Sequence, residues 1–296
     1  MEVKFSRPAH HRWIEFAVEK AIFGAGIISI IFVALIFLFL LKEGLVLFRH
    51  YPFTNFFFGI QWSPISEPPR LGIVPLILGS LAVTLGAVVM AVPLGVCAAI
   101  YIAEIAPGWL KDILKGTVEF LAAIPSIVLG FIGLVTLVPM VKNIFHIPTG
   151  LTAFSGSIML AFMAMPTIVS MMEDSLRAVP RAYREGALAL GATRWQTIYR
   201  VLIPAASSGI LAAVMLGIGR VIGETMAVMM ITGNSARLPT TLLEPVRTMT
   251  ATIAAEMGEA VQGSTHYSSL FAIGIVLFII TFLINLTASA FIKRRK

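Results

Sequence analysis

Arg220 and Glu224 lie four residues apart in GRVIGETMA (Gly219–Ala227), inside an apolar segment that runs from Pro204 to about Gly233. A charge at the centre of a membrane span costs roughly 2.5–3.5 kcal/mol on insertion scales, so such residues are usually kept for function. On a helix this spacing brings both onto nearly one face, about 6 Å apart along the axis. The two charges then neutralise each other while pointing the same way. A guanidinium matches an oxyanion through paired, charge-assisted hydrogen bonds and stays charged at any working pH. A carboxylate beside it weakens the grip, which release of a conducted anion requires. The competing reading is a structural ion pair that only holds spans together, and the residues alone leave both open.

Other chemistry-bearing residues are sparser. Ser126 follows Pro125 in an apolar run, where an unwound turn offers a hydroxyl and free backbone N–H groups to an oxyanion; a simple proline kink is the alternative. Thr225 falls on the far side of the helix from Arg220 and is expected to bond its own carbonyls. Glu119 is either a helix-start charge or a gate residue. His10, His11, His146 and His266 have no ligand spacing, so no metal site is expected. The single cysteine, Cys97, excludes a disulfide framework and reads as a small buried hydrophobe. No GxxxxGK[ST], HExxH or GxSxG occurs, so the chain cannot cradle ATP phosphates itself and is not expected to be an enzyme. If it transports uphill, ATP hydrolysis belongs to a separate subunit.

The elements that must position these residues are membrane spans. Of 296 residues, 58% are hydrophobic and only 12% charged, with a mean hydropathy of +0.92. A soluble chain carries about 25% charged residues. Six apolar runs, about 21–47, 72–101, 117–140, 151–172, 204–233 and 268–292, are long enough to cross roughly 30 Å of hydrocarbon. They predict an all-α integral membrane protein with one six-span domain over 21–292. A polar segment precedes it at 1–20, and a basic tail follows at 293–296. The first run ends in Phe39-Leu40-Leu41 without a small-residue cleavage site, so a permanent anchor is expected. Fifteen of the 22 Lys and Arg residues fall on one set of connecting segments and six on the other, which predicts both termini in the cytoplasm. The net charge of +7 is therefore a topology signal, with anionic lipid as a partner of the tail and no nucleic acid. Residues 48–71 are aromatic and Pro-rich and suit an interfacial cap, with Tyr51 and Trp62 at headgroup level. Residues 234–267 are polar, with a helix expected over 245–260.

Residues 173–203 form the longest cytoplasmic loop. Pro180 suits a helix start, Gly191 a left-handed C-cap, and Thr193-Arg194-Trp195-Gln196 a capping box. The loop is therefore two short helices with a bend at Gly191–Thr193. Ala187, Leu190, Trp195, Ile198 and Leu202 recur near helical spacing. They either pack on the inner ends of the chain's own spans or dock into another subunit.

Here the chain resembles a known family. Glu185-Gly186-Ala187, Gly191 six residues after Glu185, and Val201-Leu202-Ile203-Pro204 match the EAA loop of binding-protein-dependent ABC importer permeases. Gly186 replaces the first Ala, and Val201 and Ile203 replace Ile and Leu, all small or apolar changes. Residues 118–134, 189–234 and 243–260 resemble the PstC family, the phosphate-specific branch. The resemblance implies a type I ABC importer (MetI-like) permease fold in a bacterial or archaeal plasma membrane. It implies that the 173–203 loop, through Glu185, Gly186, Ala187, Gly191 and Pro204, is the coupling loop to an ATPase. It implies an ATP-driven phosphate importer working by alternating access, with Arg220 lining the route and Glu224 either restraining Arg220 or accepting from HPO4²⁻. Implied partners are a second, PstA-like permease subunit, two PstB-like ATP-binding subunits and an extracytoplasmic PstS-like binding protein. ATP and Mg are held by the ATPase subunits, with no cofactor on this chain. Alternatives are a molybdate or sulfate permease, and a membrane phosphate sensor.

Overall fold

A computed structural model describes residues 9–294 and is almost wholly helical. The residues numbered 1–8 and 295–296, which hold much of the N-terminal segment and half of the basic tail, lie outside the described residues. Among the described residues, five helices are long and apolar enough to cross a membrane: Glu15–His50, Val74–Ile105, Ser126–Phe145, Ala153–Arg177 and Thr265–Thr287. A sixth crossing is made if Arg194–Ala205 and Ser207–Gly223, bent by 73° to each other, count as one span.

The fourth span, the least apolar of the predicted set, is the centre of the molecule. Its polarity is a consequence of its burial. Ser155 and Ser157 are fully buried, and their hydroxyls donate to the Gly150 and Ala153 carbonyls at 2.7 and 2.8 Å. Both hydroxyls are satisfied by that exchange, and short side chains let neighbouring backbones approach. On one side lies the second span, with Val83, Ala87 and Ala91 in a core shared with Met159, Leu160, Met163 and Ala164. On the other lies the fifth. Gly217 sits directly against Ile168, and a Cβ there would overlap the Ile168 side chain. Gly219, one turn face away, has open space around it. Gly217→Val is therefore expected to overpack this contact, an effect of about 1–3 kcal/mol. A lowered melting temperature in detergent checks it, with Gly219→Ala expected to melt as the parent does.

The first span packs along the sixth through aromatic pairs, Phe37 on Phe278 at 4.6 Å and Phe39 on Phe271 at 5.5 Å. Its outward side chains, such as Ile22, Phe32 and Leu38, are exposed, as befits a lipid-facing helix.

Prolines decide where the spans depart from straight rods. π-turns at Gly133–Leu137 and Ile198–Leu202 end just before Pro139 and Pro204. A proline lacks the N–H for the i−4 bond and its ring displaces that carbonyl, so the preceding turn widens. After Pro204 the chain kinks at Ala206. The expected single helix over 204–233 is three pieces, Ile203–Ala205, Ser207–Gly223 and Met226–Ile231, the first break following Pro204 and the second, at Glu224–Thr225, having no proline. The expected run over 117–140 is likewise two helices, Gly108–Ala123 and the span from Ser126, parted at Ile124–Pro125. The Gly108–Ala123 helix buries no residue. It is tied to the end of the fourth span by Lys115, whose ammonium reaches Glu173 at 3.1 Å and Asp174 at 3.4 Å. The hydrogen bond to Glu173 raises the Lys115 pKa above the ordinary lysine value.

Two further expectations, the burial of Cys97 and the bounds of the outer helix, are corrected. Cys97 is exposed on the second span, not buried. Trp62 is buried within the chain, and its indole N–H donates to Glu256 at 3.1 Å. The helix expected over 245–260 is Met249–Glu256, because Val246 pairs with Gly233 and Thr248 caps the helix through the Ala251 N–H. Glu256 also holds Arg247 and, at 2.9 Å, His266. That carboxylate ties Trp62, 194 positions away in sequence, to Arg247 and His266 on either side of its own helix.

Candidate functional site

Arg220 occupies the last turn of the helix Ser207–Gly223. The helix stops there because Glu224 is extended, with φ −69° and ψ 131°, and a new helix begins at Met226. Broken backbone at membrane depth survives only where its freed polar groups find partners. They do. The Glu224 carboxylate accepts from the Ala227 N–H at 3.3 Å, the Glu224 carbonyl accepts from the Thr250 hydroxyl at 3.0 Å, and Thr225 donates to the Gly223 carbonyl at 3.2 Å. Thr225 therefore bonds a carbonyl across the break rather than within a helix.

This geometry overturns the expected shared face of Arg220 and Glu224. The side chains are separated by the break, and among the described residues no ion pair joins them. Glu224 serves the backbone of the following helix, whose N–H groups favour a carboxylate. Arg220 instead donates from Nη1 to the Thr167 hydroxyl of the fourth span at 2.9 Å. Ala213 and Ala227 are buried within the chain, whereas Leu216 is exposed. Arg220 sits between the buried row Ala213, Gly217, Val221 and the exposed row Leu216, Gly219, Gly223.

Ser126 is the first residue of its helix, after an extended Pro125 with ψ 137°. The two helices that follow the two breaks, Ser126–Ile132 and Met226–Ile231, lie side by side: a Cβ on Gly130 would come within 2.9 Å of the Ala227 Cα. Two broken spans therefore meet, with Ser126 heading one short helix and Glu224 capping the other. Discontinuous helices meeting in this way are where membrane transporters place substrate groups. Glu119 lies on the exposed Gly108–Ala123 helix, away from this meeting point. Thr167 and Thr250 were not singled out by sequence. The one available signal for Thr167 was its place after Pro166 in the most polar span.

The 173–203 loop has the expected form. Arg181–Ala189 is a helix, Gly191 has φ +82°, and Thr193 and Gln196 complete the capping box with bonds of 2.8 and 3.3 Å. Its apolar residues divide between the two readings. Ile198 and Leu202 are buried in the chain's own spans, while Leu190 is 91% and Trp195 67% exposed. Glu185 and Gly186 are exposed, Ala187 is half-buried, and Pro204 is exposed at the following bend. Arg184, next to Glu185, pairs with the nearly buried Glu104 at the end of the second span, which ties the loop to the bundle.

The fold can now be set beside known proteins. Residues 91–296 match the model of the family described as "Binding-protein-dependent transport system inner membrane component". The chain belongs to that family. It is 41% identical over 242 residues to the "Probable ABC transporter permease protein YqgH" of Bacillus subtilis (strain 168), covering 82% of this chain and 78% of that one. It is 35% identical over 260 residues to the "Phosphate transport system permease protein PstC" of Xylella fastidiosa (strain Temecula1 / ATCC 700964), covering 81% of this chain and 79% of that one. Its fold matches a chain of the MetNI methionine ABC transporter in an inward facing conformation. That likeness has a TM-score of 0.60 at 21% identity, over 78% of this chain and all of that one. The chain is thus a multi-pass permease subunit of an ABC importer with the type I, MetI-like fold, and in this family ATP hydrolysis belongs to separate subunits. An ATPase and a binding protein are its partners by class.

Proposed function

We propose that this permease carries inorganic phosphate, with Arg220 as the cation on its route. The observation that carries the reading is that Arg220 holds a full charge at a helix break without a carboxylate partner among the described residues; its bond is to the neutral hydroxyl of Thr167. An unneutralised guanidinium in a span needs an anion, and a tetrahedral oxyanion fits its fork. Relatives bearing phosphate in their names support that choice among oxyanions. Glu224, in this conformation, restrains the break and does not compensate Arg220.

The mechanism is alternating access driven by ATP. Two PstB-like subunits close on ATP and Mg, the exposed Leu190 and Trp195 of the 173–203 loop move with them, and the kinked fifth span carries the motion to Arg220. A PstS-like protein delivers the anion from outside, and a PstA-like subunit completes the passage. Residues such as Ser126, at the second break, line the same route. Reconstituted vesicles containing the four-component complex test this: labelled phosphate is taken up on ATP addition, and excess unlabelled sulfate or molybdate leaves the rate unchanged. Uptake that follows sulfate or molybdate instead of phosphate ends the phosphate reading.

A further inference from the structure

We infer that Thr167 is a second binding residue for the transported oxyanion, donating its hydroxyl proton beside the Arg220 guanidinium. The inference rests on the proposed route and adds a residue to it. The Thr167 oxygen already accepts from Arg220 Nη1 at 2.9 Å. A hydroxyl has two lone pairs and one proton, so this bond leaves the proton to be placed. Helical Ser and Thr side chains usually return it to the carbonyl four residues back. Thr136, Ser157, Thr232 and Thr281 of this chain all do so, to Ile132, Ala153, Val228 and Leu277. Thr167 does not. Its hydroxyl makes no donation to any described residue, although the side chain is only half-buried and faces the guanidinium. The fourth span is the most enclosed helix of the bundle, so this donor is held by a rigid element.

Two donors of different character then meet at one point. A tetrahedral oxyanion places one oxygen on the guanidinium and a neighbouring oxygen on the hydroxyl. The hydroxyl adds a hydrogen bond without a second positive charge, so grip rises without the trapping that a second cation would cause. Because Thr167 and Arg220 stand on different spans, relative sliding of the fourth and fifth spans separates the donors and frees the anion.

The test uses the full complex in vesicles, with saturating phosphate-loaded binding protein, and reads phosphate moved per ATP hydrolysed. Thr167→Val removes acceptor and donor while keeping shape. Loss of a hydrogen bond to a charged group is expected to lower uptake about tenfold or more while ATP hydrolysis continues. Thr167→Ser restores the hydroxyl and is expected to transport as the parent does. Wild-type transport by Thr167→Val overturns the inference, and so does a Thr167→Ser defect equal to that of Thr167→Val, which would assign the residue to packing. Should Thr167→Val fail to assemble, Thr167→Ala decides by the same ratio. Failure of the underlying phosphate reading has a different signature: the parent complex itself moves no phosphate, or Arg220→Gln moves it normally.

Discussion

Arg220→Gln will abolish phosphate accumulation while leaving the complex assembled and its basal ATP hydrolysis intact. Glutamine keeps a polar, uncharged side chain but removes the charge and the guanidinium fork. The loss is that of a charge-assisted, two-pronged grip on a desolvated anion, about 3 kcal/mol or more, which is a fall in uptake of roughly a hundredfold or greater. Arg220→Lys is expected to fall between the two, since an ammonium is a point charge without the planar fork. Stability separates this from a purely structural role. Were Arg220 and Glu224 an ion pair, single neutralisations would be costly and the double variant would recover much of the loss. The structure gives the two residues separate partners, Thr167 and the Ala227 N–H. Their effects on melting temperature should therefore be close to additive. Strong recovery in Arg220→Gln/Glu224→Gln, or normal uptake by Arg220→Gln alone, removes Arg220 from the route.

Leu190→Ser and Trp195→Ala are expected to release the ATPase from the permease without unfolding it. Both side chains are exposed on a loop held in shape by its own capping box and by the Arg184–Glu104 pair, so neither is needed for the chain's internal packing. A large exposed aromatic on a projecting loop is the type of residue that dominates an interface, where truncation costs about 2–4 kcal/mol. That corresponds to roughly 30- to 1,000-fold weaker association, read as loss of the ATP-binding subunit on co-purification and loss of ATP-driven uptake together. Leu202→Ser supplies the contrast. Leu202 is buried, so its variant should lose permease yield itself. If Trp195→Ala retains the ATPase at parental levels, this side of the loop is not the docking surface.

Much of the loop was legible because its shape is local. Gly191 takes φ +82° and Thr193–Gln196 close a capping box within a few residues of each other, so pattern and geometry share the same short range. The spans were legible for a similar reason, since hydropathy summed over about twenty residues does not depend on neighbours. Hydropathy also misranked one feature: the fourth run reads as the weakest span and is the central one, because buried serines satisfied by backbone carbonyls lower its average.

The site was legible only as a set of residues. The identity of Arg220 and its place in a span follow from the chain alone. The four-residue spacing of Arg220 and Glu224 implied a shared face only if the helix continued, and continuation is not a local property. The break at Glu224 is sustained by the Thr250 hydroxyl, 26 positions away, and Arg220 is claimed by Thr167, 53 positions away. A helix ends within a membrane only where distant groups replace its missing hydrogen bonds. Sequence determined which charges and turns exist; the packing of the fourth span and the outer segment against the fifth decided which of them meet.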